Sequence, residues 1–339
     1  MSTIFSDPIS LVLAAAVMNA VYTLPMKLNK QWKWEHSWLV FTLLGVAVVP
    51  TVLAAFTIPR LLETYDGVPG NILLGMAACG ALWGVSLVFF GLAVEAVGVA
   101  ITFAVALGTS AASGAVIPLI SRHYAEIFTA RGFMVLSGIL AILIGVGICG
   151  AAGRNREAER TAENGRSGIP PFRKGFALAF LSGLLGSMLN LGLTLGAPIQ
   201  RNAQSFGASE AMMSNAVWLP CLYAGAVPGL AYCAFLMRKN RTAGQLLSAS
   251  RWHYWLTPAL MGLFWFGSIM CYSLASVKLG ELGPVIAWPL FLSAVVIAST
   301  IAGVVTGEWK NTGRGPMTWM WIGVLCLVAA MALLASAGQ

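Results

Sequence analysis

Charge is scarce in this sequence. Only 9% of its 339 residues are Asp, Glu, Lys or Arg, whereas 58% are hydrophobic, and the mean hydropathy is +0.81. A water-soluble domain needs far more charge than this to cover its surface. The composition therefore excludes a soluble protein and predicts one that crosses a membrane several times.

Patterns that bind metals, form disulfides or perform hydrolysis are also missing. The six cysteines fall inside apolar segments, and none forms a CxxC pair or lies at metal-ligand spacing from one of the three histidines. No HExxH, GxSxG or acidic pair lies within an apolar segment. The sequence therefore predicts no disulfide framework, no metal and no cofactor, and a membrane-embedded enzyme is the least favoured alternative.

The net charge of +8 comes from 20 basic and 12 acidic residues. In a membrane protein Lys and Arg collect in cytoplasmic loops, so this excess does not indicate nucleic acid as a partner. The N-terminus carries Asp7 and no basic n-region, which favours a retained first helix over a cleaved signal peptide.

Ten apolar segments approach the length of about 20 residues that a bilayer span requires. They cover 8–26, 37–59, 70–93, 98–120, 132–152, 174–197, 212–237, 254–276, 283–305 and 317–335. The longest polar interruption, 153–173, reads as a solvated linker between two five-span halves, 1–152 and 174–339. The sequence thus predicts an all-α polytopic membrane protein with ten transmembrane helices.

A short pattern occurs once in each half. Trp83 and Ser86 recur as Trp265 and Ser268, 182 positions later, and the flanking aromatic, Leu-Ala and Gly positions match without a gap. Because five spans is an odd number, the second half enters the membrane in the opposite sense. The duplication therefore predicts two inverted five-helix repeats, the arrangement that lets a carrier alternate its open side.

The orientation follows from the positions of the basic residues. Of the 20 lysines and arginines, 15 fall in the loops after spans 1, 5, 7 and 9, and only 5 fall on the other side. The positive-inside rule then predicts a cytoplasmic linker, with both termini periplasmic or extracellular.

Matching prolines point to a binding region. Span 1 ends at Pro25 and span 6 at Pro198, each a few residues after an asparagine, Asn19 and Asn190. Proline breaks a helix, and in a bilayer the freed carbonyls must face protein or water. Paired breaks favour a substrate site there, although the prolines could also simply stop helices at the interface.

Three sequence motifs resemble one family. They are Leu24-Pro25-Met26-Lys27, Gly80-Ala81-Leu82-Trp83-Gly84 and Gly307-Glu308-Trp309-Lys310-Asn311. In this order and spacing the chain resembles the L-rhamnose–proton symporter family of the drug/metabolite transporter superfamily. The resemblance implies two inverted five-helix repeats, a central cavity lined by helices 1, 3, 4, 6, 8 and 9, and proton-driven sugar uptake in a bacterial inner membrane.

The side chains fit a neutral sugar, since aromatic faces cover its C–H groups and amides and hydroxyls pair with its hydroxyls. The candidate substrate-binding residues are Asn19, Tyr22, Trp83, Ser86, Asn190, Asn215, Trp218, Trp265, Ser268, Tyr272 and Trp288. The repeat-related Trp83 and Trp265 are the first candidates for stacking on the sugar. The alternatives are interhelical hydrogen bonds for the asparagines and core packing for the tryptophans.

Proton carriers are harder to find, because charge is almost absent from the spans. The candidates are Glu281 first, then Glu95, and Lys27 beyond Pro25, but the two glutamates fit ordinary loop residues better than proton carriers. Residues 283–289 contain no titratable group, so facilitative transport remains an alternative, as does a carrier of another small metabolite. The expected partners are the sugar, protons and the lipid bilayer, with a homodimer left open.

Overall fold

The computed structural model describes residues 7–29, 32–163, 172–248, 252–307, 309–310 and 312–338. Within these ranges the regular secondary structure is entirely helical. The helices are α1 (Pro8–Val21), α2 (Trp34–Phe41), α3 (Val49–Thr57), α4 (Gly70–Val97), α5 (Val99–Arg122), α6 (Ala130–Glu163), α7 (Phe172–Gly186), α8 (Met188–Leu195), α9 (Ala197–Ser205), α10 (Asn215–Lys239), α11 (Ala243–Ser248), α12 (His253–Lys278), α13 (Gly283–Val305) and α14 (Arg314–Ala337). A π-helical stretch, Thr42–Val48, joins α2 to α3.

Within the described residues, ten stretches are long and apolar enough to cross a membrane. They are Pro8–Met26, Trp34–Thr57, Gly70–Val97, Val99–Arg122, Ala130–Arg156, Arg173–Ser205, Asn215–Lys239, Tyr254–Lys278, Gly280–Val305 and Arg314–Ala337. Each overlaps one of the spans predicted from the sequence. The all-α fold with ten spans is therefore confirmed, whereas the inverted repeat stays a prediction.

Helix ends follow local chemistry. The carboxylate of Asp7 accepts hydrogen bonds from the backbone N–H of Ser10 at 2.8 Å and from its hydroxyl at 2.7 Å, which caps the start of α1. The Ser10 hydroxyl and N–H hold the pKa of Asp7 below its usual value. At the other end, α1 stops at Val21, and Pro25 lies inside a 3-10 turn, Leu24–Leu28.

Pro198 does not end the sixth span, contrary to the expectation from sequence. It lies in the first turn of α9, and the span continues to Ser205. Proline is tolerated at this position because the first N–H groups of a helix have no intrahelical acceptor. The break in the span lies earlier, between α7, α8 and α9.

The contacts group the chain into two compact units, and each contains residues from both halves of the sequence. Unit one consists of Met1–Ala16, Ser86–Ser187 and Ala275–Gln339, and unit two of Val17–Val85 and Met188–Leu274. The predicted division into 1–152, a linker and 174–339 describes two sequence repeats, not two groups of contacting residues. It stays a prediction. Part of the linker, 164–171, lies outside the described residues.

Unit one is built on α5, α6, α7, α13 and α14. The α6 and α14 helices pack along their length, and the Arg131 guanidinium closes one end by donating from Nε to the Ala337 carbonyl at 2.7 Å. Side chains of α14 also fill the space above glycines of α6. An added Cβ at Gly145 would lie 2.9 Å from Cγ of Leu327. Small residues therefore let these two helices approach closely.

Unit two is built around α10, which contacts α2, α3, α8, α9 and the π-helical stretch. The loop between α3 and α4 is fastened to the start of α10 by Tyr65, whose hydroxyl donates to the Ala216 carbonyl at 2.7 Å. Burial raises the pKa of Tyr65, so the hydroxyl stays protonated and remains a donor. Most of the predicted sugar-binding residues lie in this unit.

Candidate functional site

Trp83 and Trp265 contact each other directly in unit two. Their rings stack with centroids 5.4 Å apart and an interplanar angle of 21°. Trp83 is 7% exposed and Trp265 is 6% exposed. The two rings that were predicted to stack on a sugar therefore cover one another in this structure.

Glycine holds the pair in place. A Cβ added at Gly225 of α10 would lie 2.7 Å from Cε3 of Trp83 and 2.8 Å from the Gly80 carbonyl oxygen. Real Cβ atoms do not approach other heavy atoms this closely, so only glycine lets α10 lie against this ring. Because Gly225 has no side chain, α10 can pack directly against the face of α4 that carries Trp83.

Two further aromatic rings continue from the tryptophan pair. Phe41 of α2 meets Trp265 edge to face, with centroids 6.0 Å apart, and Tyr22 lies 5.7 Å from Phe41. We call Tyr22, Phe41, Trp265 and Trp83 the aromatic row. Phe41 is not among the residues predicted from the sequence, because an apolar residue in span 2 carries no polar or repeat signal that distinguishes it from the core.

Uncharged polar groups lie beside this row. The Asn19 amide donates to the Ser268 hydroxyl at 3.4 Å, which joins α1 to α12. Asn19 and Tyr22 are half-buried, whereas Ser268 is fully buried. The predicted residues of spans 1 and 8 thus lie together with an amide, a hydroxyl and an aromatic edge.

The other predicted polar residues of unit two bond to protein. The Tyr272 hydroxyl donates a short hydrogen bond to Oδ1 of Asn190, and both residues are fully buried. Trp218 donates from Nε1 to the Ser273 hydroxyl at 3.0 Å. Such bonds between helices satisfy polar groups that would be costly in a bilayer.

Asn215 bonds in the same way. Its amide donates to the hydroxyl of Thr57 at 3.0 Å, which connects α10 to the end of α3. This geometry is that of interhelical hydrogen bonding, one of the two roles considered for the asparagines.

Ser86 and Trp288 belong to unit one. Trp288 of α13 donates from Nε1 to the Ser110 carbonyl at 3.0 Å and packs against Gly114 of α5. The Ser86 carbonyl accepts from the Ser182 hydroxyl at 2.9 Å. The predicted set is therefore divided, with these two residues in one unit and the remainder in the other.

The predicted proton carriers are not buried. Glu95, near the end of α4, and Glu281, in the 3-10 turn before α13, are both exposed. The side chain of Lys27 lies outside the part of the chain that the structure describes. Among the described residues, no three His, Cys, Asp or Glu side chains converge as a metal site.

A buried acidic residue lies elsewhere, at the start of the second span. Glu35 of α2 is 4% exposed, and its Oε1 accepts hydrogen bonds from Asn240 and Thr242. Glu35 is not among the residues predicted from the sequence, because the apolar run of span 2 begins at residue 37 and leaves Glu35 in a loop. The structure begins α2 at Trp34, so the carboxylate enters the span.

A groove of about 340 Å³ lies between α6 and α14 and contains none of the predicted residues. It is lined by Leu143, Ile144, Gly147, Ile148, Ala151, Asn155 and Trp319. The Asn155 amide and the Trp319 indole N–H are the polar groups on the side chains of this lining, and they offer few partners for sugar hydroxyls. The groove is therefore a poor candidate for the substrate site.

Comparisons with known proteins agree with the sequence resemblance. The model of the L-rhamnose-proton symport protein family matches residues 1–337. An L-rhamnose-proton symporter of Escherichia coli O17:K52:H18 (strain UMN026 / ExPEC) is 26% identical over 325 residues, covering 94% of both chains. One from Shigella sonnei (strain Ss046) has the same identity and coverage. These relatives are named as transporters rather than as enzymes.

A solved crystal structure supports the fold. It covers 96% of this chain and 96% of its own, with a TM-score of 0.54 and 17% sequence identity. This likeness shows a shared arrangement of helices over nearly the whole length, and nothing about substrate.

Proposed function

The chain belongs to the L-rhamnose-proton symport protein family, and on this premise we propose that it is a secondary active transporter that takes up L-rhamnose or a related 6-deoxyhexose with protons. Its bacterial relatives and ten apolar helices fit a multi-pass protein of the inner membrane. The observation that carries the site is the stacked contact between Trp83 and Trp265, with Asn19 and Ser268 close by.

The chemistry of this region suits a neutral, partly apolar sugar. A 6-deoxyhexose has a methyl group and C–H faces that aromatic rings cover, and hydroxyls that need donors and acceptors. The aromatic row supplies the rings, and Asn19, Ser268 and Tyr22 supply an amide and two hydroxyls. All of these side chains are uncharged, which fits a substrate without charge.

The contact between the tryptophans suggests how the substrate enters. Stacked rings leave no room for a sugar between them, so binding requires Trp83 and Trp265 to separate. A stacked aromatic pair contributes about 0.5–1.5 kcal/mol beyond the area it buries, which sugar stacking on the same faces offsets. In this proposal the sugar replaces one ring as the stacking partner of the other.

In this proposal the remaining predicted residues of unit two hold the surrounding helices together. Hydrogen bonds connect α3, α8, α10 and α12 through Asn190, Tyr272, Trp218 and Asn215, and those of the first three residues are buried. These bonds hold the helices that carry the aromatic row, and Asn190 and Tyr272 are the pair whose groups could turn toward a sugar hydroxyl.

Transport proceeds by alternating access in this proposal. The two inverted halves exchange which side of the site is sealed, with a cytoplasmic linker and both termini outside. The excess of basic residues in the loops after spans 1, 5, 7 and 9 supports this orientation.

Purified protein in lipid vesicles tests the proposal. A panel of labelled sugars is offered with and without an inward proton gradient. We expect accumulation of L-rhamnose or another 6-deoxyhexose above its outside concentration only with the gradient. Failure to take up any deoxyhexose would reject the substrate class, and uptake that ignores the gradient would reject proton symport while keeping the sugar.

A further inference from the structure

The first turn of α2 contains a buried acidic residue inside a candidate membrane span. Glu35 is 4% exposed, and the adjacent His36 is fully buried. The other acidic side chains that the structure describes are exposed or half-buried. A carboxylate buried in a membrane-spanning segment is costly to keep, so it marks a functional site more often than a structural one.

Glu35 connects α2 to the loop that follows α10. Its Oε1 accepts from Nδ2 of Asn240 at 3.0 Å and from the Thr242 hydroxyl at 3.1 Å. Both side-chain donors are uncharged, and the backbone N–H of Glu35 is a further neutral donor, so the carboxylate is held without a cation partner among the described residues. The carboxyl group can therefore change its charge without leaving its place.

His36 fixes the same loop by bonds of its own. Its Nδ1 accepts from the backbone N–H of Lys33 at 3.2 Å, so Nε2 carries the hydrogen and donates to the Thr242 carbonyl at 2.9 Å. This pair of bonds requires the neutral imidazole. His36 is thus a positioning residue that keeps Thr242 within reach of Glu35.

The surroundings of Glu35 come from α2 and from α10 with the loop after it. His36 faces it from its own helix, and the buried thiol of Cys233 faces it from α10. The basic residues near it along the chain are exposed, and none forms an ion pair with it within the described ranges: Lys33, Arg238, Lys239 and Arg241. Uncharged donors rather than a bound cation therefore hold the carboxylate.

We propose that Glu35 binds the proton that is coupled to sugar transport. Ionised Glu35 accepts charge-assisted hydrogen bonds from Asn240 and Thr242, which are roughly twice as strong as the neutral bonds that remain after protonation. Protonation of Glu35 therefore weakens the hydrogen bonds that hold α2 to Asn240 and Thr242. Because α2 also carries Phe41 of the aromatic row, the proton and the sugar act on one helix.

This inference rests on the proposed function and is tested in the same vesicles. In Glu35→Gln the side chain keeps its size but cannot titrate. We expect this variant to lose gradient-driven accumulation while it still exchanges labelled for unlabelled sugar. Glu63→Gln is the matched control, because Glu63 is exposed and pairs only with Arg60 on a loop among the described contacts, and it should accumulate sugar like the wild type.

If Glu35→Gln does not fold, a second variant tests whether Glu35 is the proton site. Thr242→Val keeps the shape of the side chain and removes one donor to Oε1. The ionised carboxylate is then less stabilised, so the proton is held at higher pH. We expect the pH of half-maximal uptake to rise by about half a pH unit, since losing one hydrogen bond to the charged form favours the neutral form. An unchanged midpoint would overturn the assignment.

The outcomes separate the two proposals. Gradient-driven accumulation that persists in Glu35→Gln rejects Glu35 as the proton site and leaves the symporter intact. Wild-type uptake that ignores the gradient rejects proton coupling, and Glu35 with it. Wild-type vesicles that take up no sugar of the panel reject the proposed function and the assignment that rests on it.

Discussion

Trp83 and Trp265 lie 182 positions apart in the sequence, and their rings stack with centroids 5.4 Å apart. Residues at equivalent positions of two repeats touch each other only where they lie close to the axis that relates the repeats. The inverted duplication stays a prediction, and under it this pair would lie close to that axis. In carriers built from such repeats the substrate site lies at the repeat interface, so the predicted duplication places the tryptophan pair in the region where a site is expected.

Removing either tryptophan tests whether this contact is the sugar site. We expect Trp83→Ala and Trp265→Ala each to raise the KM for sugar about tenfold, because a lost stacking face removes roughly 1–1.5 kcal/mol from binding. Uptake kinetics in vesicles measure the effect. Trp319→Ala is the control, since Trp319 of α14 is 53% exposed and lies at the groove between α6 and α14. An unchanged KM in both variants would mean that the pair only packs the core.

The glycine behind Trp83 gives a separate prediction. In Gly225→Ala the new methyl group would meet the Trp83 ring and the Gly80 carbonyl at under 3 Å. Overpacking of this kind costs about 1–3 kcal/mol, so we expect a lower melting temperature in detergent. Gly147→Ala in α6 is the matched control, because nothing lies within 4 Å of an added Cβ there. That change should be neutral or stabilise by up to about 1 kcal/mol.

The ten spans could be predicted from the sequence because each is a long apolar run, and length alone identifies such a segment. Their ends could not, since they depend on a few polar residues. Glu35 was placed in a loop because charge normally ends a span, whereas hydrogen bonds from Asn240 and Thr242 make its burial tolerable. Those partners lie about 205 positions away, and no local pattern indicates them.

The types of residue in the candidate site could be predicted from the sequence, but the contacts between their side chains could not. Aromatic and amide side chains within spans 1 and 8 could be selected from the sequence, and Asn19 does meet Ser268. Phe41 could not be selected, because its contacts with Tyr22 and Trp265 arise only from the packing of α2. The π-helical stretch after Phe41, which changes the direction of the side chains that follow, also has no local signal in the apolar run.

Replacing Tyr272 distinguishes a structural role of its hydroxyl from a role in sugar binding. Tyr272→Phe removes the hydroxyl that donates to Asn190 deep inside unit two. Loss of one buried hydrogen bond costs about 1–3 kcal/mol, so we expect a lower melting temperature in detergent. If the hydroxyl only joins α12 to α8, the KM for sugar stays at the wild-type value. A rise in KM without loss of stability would instead assign the hydroxyl to the sugar. Tyr124→Phe, at a residue that is 61% exposed, controls for the substitution itself.

The orientation of the chain is tested by labelling from one side of the membrane. The excess of basic residues in alternate loops predicts that the loop after the sixth span is outside and the loop after the seventh is cytoplasmic. Ser209 lies in the first of these loops and Lys239 borders the second, and both are exposed. We expect a membrane-impermeant maleimide added to intact cells to label Ser209→Cys and to label Lys239→Cys only after the membrane is opened.

The native cysteines are buried or half-buried, so the unmodified protein should give little background. Labelling of Lys239→Cys in intact cells, with Ser209→Cys protected, would reverse the topology and place the Glu35 carboxyl at the outer end of the transport path.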